Sequence, residues 1–135
     1  MDITKRKKLV EELTKQPAPQ LVSIEKFFDG NDDPTSIGGN LNEHPGLVYF
    51  KALLTTVARR GDVEAVYAQI TTVDPGDWRW PCTDTVFVVG AIELDELKKI
   101  LEPLQPDEVA HGKHFGVPGA LKEKHQGPVL AVWWD

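Results

Sequence analysis

The run Thr85-Val86-Phe87-Val88-Val89-Gly90 restricts what this chain can fold into more than any other stretch. Nearly unbroken apolar and β-branched residues, closed by Gly, read as a strand in the middle of a sheet and covered on at least one face. Residues 63–73 precede it, with Val66, Ala68 and Ile70 alternating toward one side as in a second strand. Asp74-Pro75-Gly76-Asp77 then has the composition of a turn.

Two helical stripes bracket these strands. Phe50, Leu53, Leu54 and Val57 recur at i, i+3, i+4 and i+7, with Pro45 suited to the first turn and Gly61 placed as a left-handed stop after Arg59 and Arg60. Leu97, Ile100, Leu101 and Leu104 repeat the spacing until Pro106 ends it. Residues 21–28 read as a first strand and residues 129–134 as a last one, whereas 105–128 have no clear period. Residues 1–16 predict a helical extension, capped by Asp2, with Ile3, Val10 and Leu13 as its weak apolar stripe. Pro17-Ala18-Pro19, lacking two backbone donors, separates it from an α+β domain over 17–135. The order strand, helix, strand, strand, helix, strand predicts a ferredoxin-like βαββαβ two-layer sandwich. In that arrangement two helices lie on one face of a four-stranded antiparallel sheet, and the 85–90 strand runs centrally beside the first. Such a fold serves many unrelated activities and names none.

Charge narrows the partners. Residues 1–16 carry five cations against three anions, a balance of +2, so the remainder of a chain whose total is −6 carries −8. An acidic body repels phosphates, so no nucleic-acid partner is expected. A cationic protein partner is compatible with it. No apolar stretch reaches the roughly 20 residues of a membrane span, and no membrane partner is expected. The single Cys82 rules out an internal disulfide and fits a reducing cytoplasm.

The tryptophans point to a surface. Neighbouring strand residues face opposite ways, so Trp133 and Trp134 cannot both enter one core. One of them lands on the sheet face without helices and calls for cover from the 105–128 segment, a second protomer or a ligand. Trp78-Arg79-Trp80 reads either as a tryptophan lid or as a partner hot spot, with the two indoles on one side and Arg79 over either.

The polar stretch from Asp29 to Asn42 is the most unusual. Asp29, Asn31 and Asp33 have the alternate spacing of a calcium loop, but Pro34 stands where Gly is needed and Asn40 where a bidentate Glu belongs. Turn capping by Asp and Asn is the plainer account, and a recognition loop lies between the two. His111 and His114 have a His-x-x-His spacing, but Gly112, Gly116 and Pro118 argue against a shared helix and hence against a metal. Cys82 lies among acidic residues that oppose a thiolate. No nucleophile elbow or phosphate-binding glycine loop occurs. No metal, cofactor or catalytic residue is therefore assigned.

The stretch Val22-Ser23-Ile24-Glu25-x-Phe27-Phe28-x-Gly30-Asn31-Asp32-Asp33, then Ser36-Ile37-Gly38-x-Asn40-Leu41 and Trp133-Trp134-Asp135, resembles a family of small uncharacterised bacterial proteins over residues 20–135. The resemblance implies a bacterial cytoplasmic protein and brings no activity or catalytic residue with it.

The expectation is a non-enzymatic binding or interaction module, possible forms being a homodimer or an inhibitor or immunity-type protein for a basic partner. Its candidate binding residues are Asp29, Asn31, Asp32, Asp33, Asn40, Trp78, Arg79, Trp80, Trp133 and Trp134. The alternative is a small enzyme with a pocket between the 29–42 loop, the 78–84 loop and the 105–128 segment. Asp32 or Asp33 would then act as base beside His111, His114 or His125.

Overall fold

In the computed structural model, which describes residues 1–135, the strand at Cys82–Gly90 (β3) is central. It pairs antiparallel with Val63–Thr72 (β2) on one side and with Val129–Trp133 (β5) on the other. Leu21–Ser23 (β1) adds to β2, and Glu108–His111 (β4) adds to β5. The sheet thus has five strands in the order β1-β2-β3-β5-β4, every neighbour antiparallel.

The fold is α+β, as expected, but the four-stranded ferredoxin-like arrangement differs from it in two places. First, only three residues of 21–28 form a strand. The Ser23 side chain accepts the Lys26 N–H and starts a short helix at Ile24–Phe28 (α2), whose Ile24, Phe27 and Phe28 are buried. That capping bond and i, i+3, i+4 burial outweigh the β-propensity of the segment. The first strand is consequently an edge beside β2 rather than a neighbour of β3. Second, residues 105–128 contain β4 and the helix Gly119–Lys124 (α5), both too short to show a period.

One sheet face carries the main core. Val66, Ala68, Val86, Val88, Leu130 and Val132 project from it against the helices Ile3–Thr14 (α1), α2, Leu47–Ala58 (α3) and Leu94–Leu101 (α4). Helix α1 joins this core through Leu9 and Leu13, not through the predicted Ile3, which is 43% exposed. In α3, Phe50, Leu54 and Val57 are fully buried as predicted. It ends at Arg59 in a right-handed conformation, and Gly61 is not left-handed. Arg60 instead bonds Asp62 through two nitrogens and reaches Glu96.

The reverse face is not bare. Phe87, Val89 and Ala131 meet Leu121 of α5 in a second, smaller cluster, with Phe115 and Val117 packed against it. The 105–128 segment therefore covers Phe87, Val89 and Ala131 on this face. Trp134 enters the main core, its ring 5.6 Å from Phe50 and its Nε1 donating to the Leu104 carbonyl at 2.8 Å. Trp133 shares the face of Ala131 and stays half-buried there.

Candidate functional site

The acidic loop is built on its own hydrogen bonds. Asn31 Oδ1 accepts the Asp33 N–H at 2.9 Å, and its Nδ2 donates to the Phe27 carbonyl and to Ser36 Oγ. Asp33, nearly buried, accepts from the Thr35 N–H and hydroxyl with one oxygen and from the Trp80 N–H at 3.0 Å with the other. These are the local side-chain-to-backbone bonds that Asp and Asn favour in turns. Asn31 and Asp33, the second and third residues of the calcium-like spacing, are thereby committed to holding the chain. Asp29 pairs with Lys5 at 2.6 Å and Asp32 with the amine of Met1 at 2.6 Å, while Asn40 donates to the main-chain oxygen of Asp135. Gly38 has a φ of +64°, and a Cβ there would lie 2.7 Å from the Phe50 ring, which locks the loop to α3.

Trp78 and Trp80 part company. Trp80 is fully buried in the main core, whereas Trp78 stands 72% exposed with a φ of +63°. They do not share a side. Arg79 lies between them, its carbonyl accepting from Arg6 Nε at 2.7 Å.

The 29–42 and 78–84 loops do meet, through the Asp33–Trp80 bond and a bridge between Ile37 and Thr83. Beside them lies a polar cavity of about 340 Å³ bounded by Thr35, Asn40, Asp84 and Asp135. The 105–128 segment does not form its third wall. None of His111, His114 and His125 lines it, so neither Asp32 nor Asp33 has an imidazole partner there. Burial pushes the Cys82 thiol pKa up, with Asp33 adding to the effect and Arg79 opposing it, which disfavours the thiolate a nucleophile needs.

A different constellation forms on the reverse face. His125 Nδ1 lies 2.7 Å from Glu64 Oε1, and its Nε2 lies 2.9 Å from the Tyr67 hydroxyl. In the tautomer with its proton on Nδ1, the ring donates to the carboxylate and Nε2 accepts from the phenol. Burial, then the charges of Glu64 and Glu25, raise the Tyr67 pKa. Glu64 reaches this face because the β2–β3 register shifts between Val63 and Ala65, a bulge that re-aims one side chain. A concavity of about 740 Å³ is lined by His125 together with His111, Lys113, Lys122 and residues 126–129. A second, of about 650 Å³, runs along β4 between Leu94 and Lys98 of α4 and the residues from Asp107 to His111. His111 borders both.

The family model of the Uncharacterized protein YfbO family matches residues 4–130. The chain belongs to this family. The match takes in most of α1, so the likeness is not confined to residues 20–135. No curated protein and no solved structure matches the chain. No helix is long and apolar enough to cross a membrane.

Sequence reasoning named His125 but passed over Glu64 and Tyr67. An exposed Glu and a Tyr in an alternating strand give no signal of convergence, since the bulge that brings them together is a property of strand pairing. It also passed over the groove along β4, which exists only because a strand forms in a segment without period.

Proposed function

We propose that this protein is a non-enzymatic interaction module whose recognition surface lies on the two sides of β4. The observation that carries the reading is that two concavities of about 740 and 650 Å³ share His111, while Asn31, Asp33, Trp80 and Trp134 are consumed as internal struts. Residues already bonded to their own fold have little left to offer a ligand, whereas open concave surfaces are where ligands settle. The acidic balance of the body outside α1 favours a cationic protein as the partner, in the manner of an inhibitor or immunity-type protein.

A second reading, catalysis, has one specific observation on its side: the Glu64–His125–Tyr67 chain has the form of an activated nucleophile. The raised Tyr67 pKa keeps the phenol protonated at rest, so any nucleophilic role would depend on His125 as base.

The test pairs two measurements on the full chain. Assays with p-nitrophenyl acetate and p-nitrophenyl phosphate compare the wild type with His125→Ala, and nuclear magnetic resonance follows backbone amides as short peptides are added. The expected result is no turnover that depends on His125, with amide shifts gathered in 94–129. Turnover lost in His125→Ala, or shifts scattered over the 29–42 loop instead, would overturn the proposal.

A further inference from the structure

We infer that the outer edge of β4 takes up an extended, basic segment of a partner protein as a sixth strand. The inference rests on the interaction-module reading and names the partner's chemistry.

The sheet has two ends, and they are treated differently. At the β1 end, the Leu21 N–H donates to Gln16 Oε1 at 3.2 Å and Gln16 Nε2 donates to the Leu21 carbonyl at 3.1 Å. One glutamine side chain thus occupies the very pair of groups an incoming strand would use. At the β4 end, Glu108–His111 bond to β5 on their inner side. No loop or side chain donates to or accepts from the outward main-chain groups of these four residues. Alternate residues of an edge strand turn their N–H and C=O outward, and such groups are a template for another strand.

The space beside that edge suits a strand. The groove of about 650 Å³ follows Asp107 to His111, with α4 and the following turn as its other wall. A sheet edge facing a helix is the arrangement in which peptides bind by strand addition, with main-chain bonds supplying affinity and the flanking side chains selectivity. Here the flanking carboxylates are Glu102, Asp107 and Glu108 against the single cation Lys98, and none of the four takes part in an ion pair. Lys or Arg in the incoming segment would complete these charges. A second copy of β4 would bring the same carboxylates together again.

The experiment titrates labelled full-length protein with three ten-residue peptides: alternating Lys-Val, alternating Glu-Val, and the Lys-Val peptide with proline at two alternate positions. The expected result is amide shifts at Glu108–His111 and in α4 with Lys-Val alone. Binding should weaken about tenfold in the Glu102→Lys/Glu108→Lys variant, whose substitutions are both on exposed residues. Circular dichroism of that variant checks that the fold is kept. Equal binding of Glu-Val or of the proline peptide overturns the inference, as does the absence of any shift at low salt. Shifts confined to 112–129 overturn it while leaving the interaction-module reading standing. Concentration-dependent β4 shifts without peptide, with a dimer in sedimentation, assign the edge to a second copy and also overturn it.

Discussion

Helix α5 has six residues, too few to be stable as a helix in isolation, so what keeps it on the sheet must be contact. Leu121 is its one buried side chain and sits against Phe87, Val89 and Ala131. Leu121→Ala removes three buried carbons, a transfer loss of about 2.4 kcal/mol at roughly 0.8 per methylene. A cavity would add to this, but a short cover can settle inward, so the cost should stay near the lower end for such substitutions, about 2–3 kcal/mol. For a chain of this length that corresponds to a fall in Tm of roughly 6–12 °C. Urea unfolding followed by tryptophan fluorescence measures it, with the midpoint moving and the slope unchanged. Leu121→Met, which keeps the volume, should cost less than about 1.5 kcal/mol. A loss below about 0.5 kcal/mol for the alanine variant would mean that α5 does not hold the reverse face, and the account of that face would fall with it.

Trp134→Phe should destabilise more than Trp80→Phe, by about 1–3 kcal/mol, because the first leaves the Leu104 carbonyl without its donor whereas Trp80 Nε1 has no acceptor to lose; parallel urea titrations give the order, and the reverse order would refute the reasoning. Cys82 in the folded protein should react with iodoacetamide at pH 7 more slowly than in the urea-unfolded chain, since burial keeps its thiol protonated; equal rates by mass spectrometry would contradict this. The Arg60 guanidinium holds the Asp62 carboxyl below its ordinary value. A depressed carboxyl pKa contributes stability above the unfolded-state value and loses it as pH falls through the folded one. Asp62→Asn should therefore lose stability at pH 7 but unfold at nearly the same urea midpoint as the wild type in strong acid, and a constant difference across pH would count against the pair.

The parts of the fold legible in the sequence are those set by long periodic segments. The central place of β3, the buried stripe of α3 and the opposite fates of Trp133 and Trp134 all follow from spacing of two or about four residues. What escaped was set by single side chains or by short elements. Ser23 turned an apparent strand into a helix, and a four-residue β4 gave no alternation to detect. At the candidate site the residue types were visible but their commitments were not. Asp33 looks the same in sequence whether its oxygens face a cation or the Trp80 N–H. Glu64 and His125 meet across 61 positions through a bulge that no local pattern announces.

The asymmetry between the two ends of the sheet bears on stoichiometry. With Gln16 stoppering β1, growth by strand pairing can proceed only from β4. A molecule able to grow from one terminus alone cannot be threaded into an endless ribbon. Were a second copy to pair through β4, only two stoppered β1 edges would remain, and self-assembly by that route would end at a dimer.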